Sequence, residues 1–221
     1  MDLTHSYRSV VPGPLLARFE WREVRNAAAI ASATNDEEWA DIITVIGEFE
    51  LTLAELMQPG GNKSALTGRL ESAFKERGWR ESRLDTEITL TTERRPYRAA
   101  GETKARRETS RVANQGYLVD GFKGRIALDV EWNAKDGNLD RDIGTYRAMY
   151  EAGFLDAGVI ITRTQDDLRA AALGYSPTTT KFDTTTTTNL DKLVPRLTRG
   201  DAGGCPVLAI AICARTLSDV T

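Results

Sequence analysis

Three acidic residues, Asp120, Asp129 and Glu131, stand in a D-x(8)-D-x-E spacing that suits divalent-cation chemistry. Asp129 and Glu131 lie two apart in a run, Arg125–Trp132, that alternates as a strand, so both side chains share one face. Ile126, Leu128, Val130 and Trp132 form the opposite, apolar face. Asp120 ends a short strand over Tyr117–Asp120. With a turn at Gly121–Gly124 the two runs read as a hairpin that sets a third carboxylate beside the pair. Converging carboxylates raise each other's pKa. A hard cation such as Mg2+, content with a few carboxylates and water, relieves that repulsion. The Val130 carbonyl between the strand acids is a further candidate ligand. The competing reading is plain: an Asp and a Glu two apart on a strand usually form its solvent face.

Composition narrows the alternatives. The chain of 221 residues holds a single histidine, His5, near one end. A Ser-His-Asp triad, a Cys-His pair or a multi-histidine zinc site is therefore not expected. Cys205 and Cys213 sit in an apolar run, CPVLAIAIC, and read as buried thiols in a strand. No apolar stretch reaches the roughly 20 residues needed to span a bilayer. The N-terminus lacks the charged-then-apolar plan of a signal peptide, so a cytoplasmic protein is expected. Lys and Arg number 29 against 32 Asp and Glu, a net −3, which argues against nucleic-acid binding by bulk charge. One segment departs from that balance. Residues 94–111 carry Arg94, Arg95, Arg98, Lys104, Arg106, Arg107 and Arg111 against Glu102 and Glu108. This segment reads either as a solvated loop or helix face, or as a phosphate-contacting arm.

The elements that would position these residues follow from periodicity. Residues 15–33, rich in Ala, Leu, Arg and Glu, predict a helix. Asn35 is a candidate cap for a second helix over Glu37–Glu50, with Trp39, Ile42, Ile43 and Ile46 at near-helical spacing. Pro59-Gly60-Gly61-Asn62 breaks it. Ser64–Arg77 predicts a third helix ending at Gly78. Glu87–Thr92 alternates as a strand. After the hairpin come a helix over Asp140–Phe154, a β-branched strand over Asp156–Thr162, a short helix at Leu193–Leu197 and a buried strand within Gly203–Cys213. A threonine-rich stretch, Thr178–Thr180 and Thr184–Thr188, reads as a loop or as a set of hydroxyls for phosphates. The order predicts an α/β fold, a mixed central sheet flanked by helices. Residues 1–221 are expected to form one domain, with the N-terminal helices packed on the α/β core.

The segment VDGFKGRIALDVEW resembles the metal motif of the PD-(D/E)XK nuclease fold, the fold of many type II restriction endonucleases. GWRESR at 78–83, the strand GVIITR and the stretch RGDAGGCPVLAIAI are similar to the corresponding parts of the BglII/BstYI family. The shared blocks are short, fall within roughly 39–213, and keep the family's order. The resemblance implies a restriction-endonuclease-like fold and a type II enzyme making Mg2+-dependent double-strand cuts at a short palindromic site, with 5′-phosphate ends. It assigns Asp120 as a metal ligand and Asp129 as the second acid of the motif, beside which the Val130 carbonyl is the further candidate ligand. Asp129 stands where the relatives usually carry Glu. Glu131 departs from the wider fold, which has Lys there. It cannot act as a cation, but it can take a proton from water or help hold a second ion.

The family likeness also points to DNA contacts. Asn133 and Lys135, directly after the acidic strand, would lie near the major groove, where amide and ammonium groups read base edges. The same N-x-K-D-G-N sequence is equally good turn chemistry. Tyr175, Ser176, Thr178 and Lys181 fall in a later loop where relatives carry recognition residues, and Arg94 and Arg95 begin the basic segment. The implied partners are double-stranded DNA, a second copy of the chain in a homodimer that the 140–154 helix helps to form, and a cognate DNA methyltransferase that protects host DNA. Two other readings stand beside this one. One is a non-cleaving DNA-binding protein with a nuclease-like fold. The other is an ordinary α/β protein with solvated strand acids.

Overall fold

The computed structural model describes residues 1–58, 65–183 and 186–219. The chain opens with α1 (Tyr7–Val10), α2 (Gly13–Arg18), β1 (Phe19–Val24), α3 (Ala27–Thr34), α4 (Asp36–Glu48), α5 (Leu53–Met57) and α6 (Ala65–Glu76). There follow β2 (Arg80–Arg83), β3 (Thr86–Arg94), β4 (Arg106–Asn114), β5 (Leu118–Lys123) and β6 (Ile126–Val130). The chain then runs through α7 (Gly137–Glu151), β7 (Ala157–Arg163), α8 (Asp166–Tyr175), α9 (Leu190–Arg199) and β8 (Val207–Ile212). Six strands make a mixed sheet in the order β1-β8-β7-β6-β5-β2. Its centre, β6, β7 and β8, is parallel, and the outer pairings are antiparallel.

Parallel strands covered on both faces need apolar residues on both faces, and every residue of β6, β7 and β8 is buried. Ile126, Leu128, Val130, Val159 and Ile161 pack on one side with Ala28, Ile42, Ile46, Leu70 and Phe74 of α3, α4 and α6. Ala127, Ile160 and Ala209 pack on the other with Leu139, Ile143 and Tyr146 of α7 and Leu193 and Leu197 of α9. The fold is thus the expected α/β arrangement, a mixed central sheet flanked by helices. Among the described residues no helix is long and apolar enough to cross a membrane.

Several boundaries differ from the sequence expectation. The helix expected over 15–33 is interrupted by β1, because Phe19 and Trp21 alternate into the core while β1 pairs with β8 from Phe19↔Ile212 to Val24↔Val207. That sheet partner lies almost two hundred residues away in sequence and outweighs local helix propensity. Asn35 precedes α4 but makes no side-chain cap. Its amide instead donates to Thr34 Oγ1 at 2.8 Å and Asp156 Oδ2 at 3.1 Å. The expected third helix stands as α6, and Gly78 takes φ +92° just beyond it, a conformation glycine adopts without strain. Pro59 to Asn62, Ser64, Thr184 and Thr185 lie outside the described residues.

The acidic hairpin turns later than expected. β5 continues through Gly121 to Lys123, which pairs with Ile126, so Gly124 and Arg125 make the turn and Asp120 sits within β5 rather than at its end. β6 is shorter than the expected 125–132 run, and α7 begins at Gly137 and ends at Glu151. α8 is a helix that sequence reasoning does not anticipate, and the short helix expected at Leu193–Leu197 is the middle of the longer α9. The basic segment is neither a plain loop nor a helix face. β3 and β4 pair from Thr86↔Asn114 to Arg94↔Arg106 as a separate two-stranded sheet, and all but Thr86 of their residues are exposed.

Candidate active site

The regular pairing of β5 with β6 runs from Lys123↔Ile126 to Gly121↔Leu128. One residue further on, side chains take over from the backbone. The Asp120 amide donates to Asp129 Oδ1 at 2.9 Å, and the Val130 amide donates to Asp120 Oδ2 at 2.9 Å. The two aspartates are therefore locked together by each other's strand. Asp129 is buried, with 3% of its surface exposed, and Glu131 is buried at 7%. The solvated-face reading of these two acids is overturned, because α7 packs over that side of the sheet.

Tyr146 of α7 donates its hydroxyl to Asp129 Oδ2 at 2.6 Å and lies 2.8 Å from the Val159 carbonyl. It reaches there because β7 carries Gly158, where an added Cβ would stand 2.1 Å from Tyr146 Cδ2. Glu131, just past β6, is fixed through its backbone. Its amide donates to the Ile161 carbonyl at 2.8 Å, and its carbonyl accepts from Thr162 Oγ1 at 3.0 Å and Thr188 Oγ1 at 3.1 Å. Its side chain accepts a long 3.4 Å bond from Asn138 Nδ2.

A fourth acid, Asp142 of α7, lies within hydrogen-bonding reach of Glu131. Glu131 Oε2 and Asp142 Oδ2 are buried and have no donor among the described residues. Two ionised carboxylates offer each other only acceptors, so this pair is unstable without a proton or a cation between or beside it. The electrostatics reflect the crowding. Burial, then the charge of Asp120, pushes the Asp129 carboxyl up to about 7. Burial, then the charges of Asp129 and Glu131, pushes Asp142 up to about 10. Burial raises Glu131 as well, opposed in part by its hydrogen bonds with Asp142 and Asn138, and Tyr146 is raised by burial and the neighbouring Asp129.

The donors fit a hard divalent ion in chemistry. All are oxygens, two are buried without a partner, and the hydrogen-bonded carboxylate oxygens keep a second lone pair. The arrangement is nevertheless not a closed cage. Among the described residues no three acidic, histidine or cysteine side chains group tightly enough to enclose an ion. Asp120 and Asp129 are brought together. Glu131 lies beyond them on the Asp129 face and pairs with Asp142 instead.

The other candidates fall into three places. Asn133, with φ +58°, and Lys135 are exposed on the turn after β6, next to the acids in sequence. Lys135 bridges to Thr187. Lys181 is half-buried and bonds the Gln58 carbonyl, and with Asn133 it lines one small cavity. Tyr175 ends α8 and is exposed, Ser176 follows it, and Thr178 lies in the turn beyond, so the length of α8 separates these three from the end of β7. Arg94 and Arg95 belong to the exposed β3–β4 arm, which is tied at its base by the Leu84 amide to the Tyr117 carbonyl at 3.0 Å and the Gly116 amide to Asp85 Oδ1 at 3.0 Å.

Sequence reasoning missed Asp142, Tyr146 and Arg163. A signal for the first two was present: Leu139, Asp142, Ile143 and Tyr146 form an i, i+3, i+4, i+7 stripe whose one acid is out of place on a core-facing helix. No curated protein matches the chain. A family model described as "Restriction endonuclease BglII/BglIII" matches residues 19–212, which takes in every strand of the six-stranded sheet and all four acids. Most of the chain lies within that match, so the protein belongs to the BglII/BglIII restriction endonuclease family and is a type II restriction endonuclease, a site-specific deoxyribonuclease.

Proposed function

We propose that the enzyme cuts both strands of duplex DNA at a short palindromic site in a Mg2+-dependent reaction that leaves 5′-phosphate and 3′-hydroxyl ends. What carries the reading is the buried acid group at the open end of the β5–β6 hairpin, with two carboxyl oxygens left without partners. Asp120, Asp129 and the Val130 carbonyl would hold the ion. A bound divalent cation there supplies a lowered water pKa and offsets charge on the phosphate. Glu131, whose carboxyl is raised by burial, orients the attacking water and takes its proton, or helps hold a second ion. Tyr146 and the Asp120 amide keep the Asp129 carboxylate aimed.

Asn133 and Lys135, exposed beside the acids, read base edges. Tyr175, Ser176, Thr178 and Lys181 contact the same DNA from the later loop. Arg94 and Arg95 on the arm contact phosphates. The family's DNA substrate favours a homodimer, because a two-fold pair of copies matches a palindrome and each copy cuts one strand. Residues 1–221 act as one nuclease domain, in the cytoplasm, beside a methyltransferase that protects the same site. The test is digestion of phage DNA of known sequence with Mg2+, followed by sequencing of the ends. Fragments all ending in one palindrome with 5′-phosphates support the reading. Random ends, or cutting unchanged in chelator, sink it.

A further inference from the structure

Arg163, the last residue of β7, is fully buried. Burying a cation is costly unless its partners are well placed, yet the acceptors that this guanidinium bonds are neutral, and Asp191 aids it only through its charge. Nε donates to Asn133 Oδ1 at 3.1 Å, Nη1 to the Thr164 carbonyl at 3.1 Å and to Gln165 Oε1 at 2.6 Å, and Nη2 to Thr187 Oγ1 at 2.9 Å. The guanidinium also lies 4.7 Å from the centroid of the Phe182 ring. Asn133 and Phe182 both hold positive φ, at 58° and 64°. For a residue as bulky as phenylalanine that backbone persists only where its surroundings over-determine it.

These contacts join two segments far apart in sequence. The Asp136 amide donates to the Thr186 carbonyl at 3.0 Å, the Thr188 amide donates to the Ala134 carbonyl at 2.8 Å, and Lys135 bridges Thr187 between them. Thr188 Oγ1 closes the unit on the Glu131 carbonyl at 3.1 Å. Arg163 sits under the junction and touches both sides through different arms of one planar fork.

We infer that Arg163 is a positioning residue for site selection, holding the turn that carries Asn133 and Lys135 against Phe182 and Thr186–Thr188 and so in register with Glu131. The inference rests on the reading that this turn faces the DNA bases. Lysine cannot replace the fork, because its single ammonium cannot span Asn133, Gln165 and Thr187 at once.

The test compares wild type, Arg163→Lys and Thr187→Val. Single-turnover cleavage is measured with saturating cognate duplex and with duplexes changed at one base pair, alongside thermal melting. The expected result is a loss of about tenfold or more in cognate-over-altered discrimination for Arg163→Lys, with a smaller loss for Thr187→Val. A merely structural role slows both substrates equally and lowers the melting temperature, and that pattern overturns the inference. So does a folded Arg163→Lys with unchanged discrimination. Where Arg163→Lys does not fold, Thr187→Val decides alone, and unchanged discrimination in it overturns the inference. Wild type that selects no site overturns the nuclease reading and this inference with it, whereas selective wild type with unchanged variants overturns only the inference.

Discussion

Two antiparallel hairpins handle charge in opposite ways. β3–β4 keeps its arginines in water, on a separate two-stranded sheet tied at its base through Leu84 and Gly116. β5–β6 draws its acids under α7, where Asp129 is 3% exposed and one tyrosine hydroxyl is committed to it. In water, charges more than about 10 Å apart are screened at ordinary ionic strength, so an exposed set acts by number and is interchangeable. Under a helix each carboxyl feels its neighbours strongly, and position is everything. On the proposed reading the arm would hold a polyanion, and the buried hairpin would do chemistry on one bond of it.

The contrast can be broken at the acids first. If Asp129 holds the ion as proposed, Asp129→Asn is expected to lower the cleavage rate by about 10³-fold or more, through the loss of several kcal/mol of charge stabilisation. DNA affinity, measured by filter binding in Ca2+, should hardly change. An arm arginine with an equal effect on rate would erase the distinction. Next comes the support beneath the acids. Gly158→Ala drives a methyl into Tyr146, and overpacking of this kind costs about 1–3 kcal/mol. Calorimetry should show a lower melting temperature, together with slower cleavage as Asp129 loses its donor.

A third test uses pH. The Asp129 carboxyl is raised from an ordinary 3.8 to about 7 in the folded state. Between those values the folded protein holds a proton that the unfolded chain has lost, so stability falls as pH rises through that window. In chelator the melting temperature should therefore drop from pH 5 to pH 8. Asp129→Asn should lessen the fall, with Asp142, raised to about 10, still contributing to it, and a divalent cation should oppose it. No slope in wild type would mean that Asp129 titrates normally. The smallest effect belongs to the arm. Arg106→Ala with Arg107→Ala should reduce the salt slope of DNA binding by about one for each phosphate that the arm no longer neutralises. Melting temperature and saturated cleavage rate should stay unchanged, and a shift in either would mean the arm is part of the folded core.

The parts legible in sequence are those governed by local pattern. Alternation in Arg125–Trp132 discloses the acidic strand, four-residue spacing of Leu66, Leu70 and Phe74 discloses α6, and the β-branched run at 156–162 discloses β7. β1 reads as helix because its six residues are compatible with one, and only a distant partner, β8, makes them a strand. The β5–β6 turn comes later than expected because Gly121 reads as a turn glycine, whereas its bare Cα admits the Trp79 ring, whose Cε3 would lie 3.3 Å from an added Cβ. Asp142 and Arg163 escape sequence reasoning for one reason: each is a charged residue whose meaning is set by neighbours on other elements.

The exchange at the end of the β5–β6 hairpin, where Asp120 and Asp129 accept the amides of Val130 and Asp120, has a mechanical consequence. The carboxylates that would receive an ion also hold the strands from fraying, so an ion drawing on their remaining lone pairs would alter the strength of the same two amide bonds. Occupancy should then be audible in the backbone, as a change in how fast the Val130 amide proton exchanges with deuterium. It also ranks the ways to disarm the enzyme. Asparagine at either position leaves an acceptor for the amide and yields an inert but intact protein, while alanine strands a buried donor and loosens the catalytic strand itself.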